Sequence, residues 1–131
     1  MSTKTIPASH RDILDKNQVV ALATKGPNGE PQVTALWFLA ENDIIRMSIN
    51  TKRQKAKNLQ RDPSCSAFFM DPDNPYRTLE IRGQVDIAPD PDYAFADKVG
   101  ARYGASLKDM DSEDEIRMIF TLKPDNVITY G

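Results

Sequence analysis

Residues 50–63 read NTKRQKAKNLQRDP. Five cations, Lys52, Arg53, Lys55, Lys57 and Arg61, fall within ten positions, and no acid appears until Asp62. Such a segment can grip an anion, or it can be the solvated face of a helix. A strand that runs into a helix beginning NTKR suits the first role. The leading N–H groups of a helix lack internal partners, and the macrodipole adds partial positive charge there. Cations in that first turn disfavour the helix by a few tenths of a kcal/mol or more each. A purely structural helix would carry acids instead, and a bound anion offsets the mismatch. Arg offers a planar fork for phosphate, and Lys a mobile point charge. Composition alone leaves ligand site and solvated face equally open.

The other reactive side chains are few. Cys65 sits in an apolar run and reads as a buried structural thiol. His10 is the sole histidine, so a metal constellation is not expected. Cys65 and His10 carry no signature of a nucleophile and its base.

The 131 residues fit one domain, 1–131, large enough for a real core. The chain is 40% hydrophobic and 27% charged, as soluble globular chains are. No apolar run approaches the roughly 18 residues of a membrane span. The opening MSTKTIPASHRDILDK lacks an apolar core, so a secretory leader is not expected. With a single Cys, an internal disulfide is impossible and a cytoplasmic location is expected. The net charge is −2, and 13 of the 19 acids follow residue 70. A nucleic-acid binder would be basic overall and interleave aromatics with its cations. Neither nucleic acid nor a membrane is therefore an expected partner, and the local cluster suits a small anionic ligand.

The elements around the basic segment follow from periodicity. Residues 9–16 predict a short helix with Ser9 as N-cap. VVALAT (19–24) predicts a strand, KGPNGE (25–30) a hairpin connection, and PQVTALWFL (31–39) a second strand. Alternation puts Val33, Ala35, Trp37 and Leu39 on one face, and Gln32, Thr34, Leu36 and Phe38 on the other. AEND makes a turn and 43–49 a third strand. The basic segment then predicts a helix capped by Thr51 or Asn50, with Ala56 and Leu59 as its apolar side. Asp62-Pro63 ends it. Strands follow at 64–70 and 76–87, with Gly83 read as a bulge or sharp bend. Asp90-Pro91 starts an amphipathic helix through Phe95, Val99 and Tyr103, closed by Gly104. An acidic, partly helical connection (106–115) leads to strands at 116–122 and 125–131. Six or seven strands, mostly hairpin-linked, and two main helices predict a mainly β fold, an antiparallel barrel with peripheral α-helices.

In this setting NTKRQKAKNLQRDP resembles the phosphate-binding helix of the pyridoxamine-phosphate-oxidase-like superfamily, the split β-barrel flavin and deazaflavin proteins. VVALATKGPNGEPQVTALWF resembles the superfamily's opening hairpin, and YRTLEIRGQVDI its long strand. The resemblance covers nearly the whole chain. Where the pyridoxamine-phosphate oxidases carry Arg-Lys before Ala-Lys-x-Leu, this chain has Gln54-Lys55. The C-terminal segment with which those oxidases hold their vitamin is also not seen. Arg53-x-Lys55-x-Lys57-Asn58-Leu59 looks more like the small reductases that use the deazaflavin coenzyme F420.

The resemblance implies roles. Arg53, Lys55 and Lys57 match contacts to the cofactor phosphate and its acidic tail, with Lys52 beside them. Asn50 and Thr51 match the polar start of the helix, and Ser48 a strand-end donor. Gln32, Val33, Thr34 and Ala35 match the strand along the ring, partly through backbone groups. Trp37 matches a residue near the ring or the partner chain, although its periodicity, on a face with Val33 and Leu39, favours simple core. Asn58 fits a cofactor contact or an amide that ties the helix to a neighbouring loop. The resemblance further implies a homodimer with cofactor sites at its interface. It implies hydride transfer from the reduced cofactor to a small unsaturated organic substrate. FMN is the alternative cofactor, and a non-catalytic cofactor-binding module the alternative function. Catalytic residues are not identified; Arg82, Tyr76 and Lys57 are the candidates for a proton donor.

Overall fold

The computed structural model describes residues 4–16 and 19–131; residues 1–3, where the stretch read for a leader begins, lie outside it. Strands β1 (Val20–Lys25) and β2 (Pro31–Leu36) form an antiparallel hairpin. Gly26 N–H donates to the Glu30 carbonyl at 2.7 Å, and Gly29 takes φ +84°, open to glycine because it has no Cβ. Along β1 the side chains of Val20, Leu22 and Thr24 are buried.

The predicted strand 31–39 is in fact two strands. It breaks at Trp37 and Phe38 and resumes as β3 (Leu39–Glu41). At the break the Phe38 carbonyl accepts from Arg102 Nη1 at 2.7 Å and from the Tyr103 hydroxyl at 3.1 Å. Phe38 N–H donates to the same hydroxyl at 3.3 Å. Helix side chains thus replace a strand partner, and the chain turns from one half of the sheet to the other. The Phe38 ring is fully buried, edge-on to Phe69 at 5.1 Å. Asn42 and Asp43, both at positive φ, then make the tight reversal into β4 (Ile44–Asn50).

Strand β5 (Ser64–Asp71) pairs with the long β6 (Asn74–Pro89). The start of β6 also pairs with β8 (Asn126–Tyr130), and its end with β7 (Arg117–Leu122). Gly83 sits at the changeover, between Arg82↔Asn126 and Val85↔Leu122. A Cβ there would lie 2.6 Å from the Lys123 carbonyl oxygen. Of the expected bulge or sharp bend, the bulge is absent, since register with β5 runs unbroken through Cys65↔Gly83; the glycine permits a close backbone approach. The sheet runs β2-β1-β5-β6-β7-β4-β3, antiparallel throughout, with β8 on β6. It curls without closing, which is a split barrel. Eight strands are found among the described residues, the added one coming from the break at Trp37. Phe69, Phe120, Leu22, Ile45, Met47, Leu79, Ile81 and Leu122 fill the interior. Each large side chain so buried contributes roughly 1.5–3 kcal/mol.

Helices pack against the sheet. Residues 9–16 do not form one helix capped by Ser9: a 3₁₀ turn (Ala8–His10) precedes α1 (Asp12–Lys16), and Ser9 Oγ pairs with His10 Nδ1 at 2.8 Å. Helix α2 (Gln54–Arg61) is the basic one. Helix α3 (Ala94–Tyr103) starts four residues beyond Asp90, after a turn that places Asp92 and Tyr93 at positive φ. The Asp90 carboxylate still caps it, accepting from Phe95 N–H at 2.8 Å and Ala96 N–H at 2.9 Å. Gly104, at φ +68°, ends it. With α4 (Leu107–Met110), α3 packs Phe95, Ala96, Val99 and Leu107 against Trp37, Leu39, Tyr103 and Ile119. No helix among the described residues is long and apolar enough to cross a membrane.

Candidate functional site

The basic helix begins later than its sequence predicts. Thr51 is not its cap, because its N–H and hydroxyl both donate to the Ile116 carbonyl, at 2.8 and 3.1 Å. Asn50 is not its cap either. Its Oδ1 accepts from Lys52 N–H at 2.9 Å, closing a tight turn ahead of the helix. Arg53 occupies the N-cap position in extended conformation and makes no side-chain cap bond. Lys52 and Arg53 therefore precede α2, and Lys55 lies in its first turn, which contains no acid.

A cleft of about 380 Å³ opens beside this helix start. Ala35 and Trp37 line it from the β2 side, Ser48 and Asn50 from β4, and Arg53 and Lys55 from the basic segment. All six are residues that the resemblance to the family points to, and the fold brings them together. Thr34 joins through Lys55, whose ammonium donates to its hydroxyl at 3.2 Å. Because β2 is an edge strand, one row of its backbone groups has no strand partner.

Electrostatics separate the cations into two sorts. Lys52 is paired with Asp114 at 2.6 Å, which raises its pKa. Among the described residues Arg53, Lys55 and Lys57 form no ion pair. Burial and then the neighbouring charge of Arg53 push the Lys55 pKa below the usual lysine value of 10.5. At Ser48, Oγ is buried and has no hydrogen-bond partner among the described residues.

The remaining predicted residues lie off the cleft. Val33 faces outward and is 64% exposed. Asn58 is fully buried. Its amide donates to Thr24 Oγ1 at 3.0 Å and to Gln32 Oε1 at 2.9 Å, and accepts from Gln54 Nε2 at 2.8 Å. Asn58 thus ties α2 to Thr24 of β1 and Gln32 of β2, which are strand residues and not a loop. Lys57 is exposed on the outer side of α2. Of the candidate proton donors, Arg82 pairs with Glu80 at 2.8 Å and Tyr76 is exposed at the β5–β6 turn. Neither these two nor Lys57 lines the cleft.

Sequence reasoning missed the opposite wall: Val99, Leu107 and Met110 from α3 and α4, and Arg117 from β7. Arg117 had no signal until register placed it opposite Asn50. Its guanidinium clasps Asp111 at 2.7 and 3.0 Å and donates to the Ser48 carbonyl at 3.2 Å. Trp37, whose periodicity favours core, is half-buried, stacks on Tyr103 at 4.6 Å and borders the cleft. The cleft therefore has unpaired cations on one side and apolar and aromatic side chains on the other. It can hold a molecule with an anionic end and a planar apolar body.

The fold is a split antiparallel barrel with a cleft at the start of a basic helix. Over residues 6–131 the chain matches the sequence pattern of the pyridoxamine 5'-phosphate oxidase family, and it belongs to that family. No functionally curated protein matches it. Among solved structures it is similar to an F420 reductase, with 38% identity, 94% of this chain and 98% of that one covered, and a TM-score of 0.83. A conserved hypothetical protein from Mycobacterium tuberculosis is 25% identical, with 99% and 89% covered and a TM-score of 0.76. The heme storage protein HutZ from Vibrio cholerae shares the fold, at 19% identity, 97% and 96% covered and a TM-score of 0.73. The resemblance to the split-barrel superfamily and its F420 reductase branch is thereby borne out.

Proposed function

We propose that this protein is an oxidoreductase that holds coenzyme F420 in the cleft and uses it to reduce a small unsaturated organic substrate. One observation carries the reading: Arg53 and Lys55 enter the cleft as cations without acid partners among the described residues, at a helix start where they are unfavourable. The residues present fit such a cofactor. Ser48 offers a buried hydroxyl that lacks a partner, and the edge of β2 offers backbone groups. Arg53 and Lys55 would hold the phosphate, Lys57 and the exposed side of α2 the acidic tail, and Ala35 with the backbone edge of β2 the ring. Trp37, backed by Tyr103, would form a flat wall that excludes water. When bound and reduced, the deazaflavin supplies a hydride to an electron-poor C=C or C=N bond. The similarity to an F420 reductase supports this choice over FMN.

A homodimer accompanies the reading. One face of the sheet carries Val33 opposite Ala23, Ala21 opposite Phe68, and Met70 and Tyr130 on either side of Thr78, with the Glu80–Arg82 pair among them; Val33, Phe68, Met70 and Tyr130 are 42–69% exposed. An apolar face of this kind suits a second copy of the chain. It includes β2, so the partner would lie beside the cleft. The protein is read as cytoplasmic because its sequence has a single Cys and so no internal disulfide.

The test is turnover. Reduced coenzyme F420 is mixed with the protein and a panel of quinone, enone and tetrapyrrole acceptors, and its reoxidation is followed optically. Protein-dependent reoxidation with at least one acceptor is expected. Tight FMN binding without F420 binding contradicts the cofactor, and binding without transfer to any acceptor would make the protein a cofactor-binding module.

A further inference from the structure

Segment 111–116, between α4 and β7, is docked along residues 48–52. Asp111 is the centre of the contact, with its side chain 4% exposed. Oδ1 accepts from Asn50 Nδ2 at 3.2 Å and Arg117 Nη2 at 3.0 Å. Oδ2 accepts from Arg117 Nε at 2.7 Å and the Tyr93 hydroxyl at 2.8 Å. Four donors thus saturate one buried carboxylate. The Asn50 amide also donates to Glu115. On its other side Asn50 governs the turn into the basic helix. Its Oδ1 holds Lys52 N–H, and its carbonyl accepts from Arg53 N–H at 3.0 Å.

We infer that Asp111 is a positioning residue for the anion grip: through Asn50 it fixes the turn that carries Arg53 into the cleft. The inference rests on the reading of Arg53 as a ligand for the cofactor phosphate. The mechanism is geometric. An amide side chain held from two sides cannot rotate, so the backbone it caps has one conformation. Arg53, in extended conformation just beyond, inherits that placement. The same carboxylate occupies Arg117 on two nitrogens, so Arg117 lines the cleft with its charge already compensated. Arg53 and Lys55 are then the charges an incoming anion meets.

The test is a double-mutant cycle on coenzyme F420 affinity, with Asp111→Asn and Arg53→Ala made singly and together. Asp111 and Arg53 share no contact, so simple independence makes their effects multiply. We expect Asp111→Asn to weaken binding about tenfold in the wild-type background and to have almost no effect once Arg53 is gone. Circular dichroism and a cooperative melt establish that each variant is folded. Tyr93→Phe removes one donor to Asp111 without adding charge, and serves if Asp111→Asn does not fold. It is expected to give a smaller loss, about threefold, with the same dependence on Arg53. Independent effects in the cycle overturn the inference, as does a lowered melting temperature with unchanged affinity. Tighter binding by Asp111→Asn also overturns it, because Arg117 would then be the ligand that Asp111 restrains. If the wild type binds neither F420 nor FMN, the functional reading itself fails, and this inference with it.

Discussion

At the β5–β6 hairpin, Arg77 lies between Asp12, at 2.6 Å, and Asp71, at 2.5 Å, and Lys16 reaches Asp71 at 3.3 Å and Asp73 at 3.1 Å. At the start of α2, Arg53, Lys55 and Lys57 have no acid within ion-pair distance among the described residues. The first group joins α1 to a hairpin distant in sequence, and every charge in it has a counter-charge. Folding alone explains it. The second group is set where a helix macrodipole repels cations, and one of its members is half-buried. Folding alone gives no reason for that arrangement, and a bound anion does. The molecule has 13 acids after residue 70, so partners for these cations were available in composition. Among the described residues, the neighbouring Lys52 alone received one, in Asp114.

The contrast can be broken by exchanging the two roles. Replacing Arg53 and Lys55 together by Ala is expected to reduce F420 affinity about a hundredfold or more, since each charge-assisted hydrogen bond is worth roughly 1.5–3 kcal/mol. The melting temperature should stay the same or rise. Arg77→Ala should do the reverse: a clear fall in melting temperature in a thermal scan, with cofactor affinity unchanged in titration. Salt sharpens the same contrast. Raising ionic strength from low to molar levels should weaken cofactor binding about tenfold, because the grip is partly exposed to screening.

The two groups should also part in pH. The Lys55 pKa is lowered, so its charge is lost earlier on the alkaline side than that of an ordinary lysine at 10.5. Affinity for the cofactor should fall as pH rises through that range, and Lys55→Arg should flatten the profile. Asp12 behaves oppositely, held at about 2 chiefly by its hydrogen bond from Arg77. A carboxylate with a depressed folded pKa stabilises above its unfolded value of 3.8, and that contribution is lost as pH falls towards about 2. Acid should therefore loosen the hairpin cluster while leaving the cations of the cleft charged. The smallest effect is expected from Lys57→Ala, about a twofold loss of F420 affinity, because an exposed charge is well solvated.

Local patterns made much of this legible. The alternation of β1, β5, β6 and β7, the Gly-containing hairpin, and the Phe95-Val99 stripe all appear where period and turn chemistry put them. What failed was settled by partners distant in sequence. Trp37 and Phe38 look like strand, but side chains of α3 take the Phe38 backbone. Thr51 looks like a cap, but Ile116 takes its hydroxyl. The site divides in the same way. The cations of NTKRQKAK are visible locally because they are concentrated. Arg117 and Asp111 are not, since a single Arg in a strand and one acid among many carry no signal before the sheet register is known. The resemblance to the F420-dependent branch supplied what neither period nor charge could.

The central claim is that the unpaired cations await the anionic end of a deazaflavin. Parallel titrations of the wild-type protein with coenzyme F420 and with FMN, at low and high salt, test it most directly. Tighter binding of F420 than of FMN, with an affinity that falls as salt rises, is the result this account requires. Binding of FMN alone, or F420 binding indifferent to salt, would contradict it.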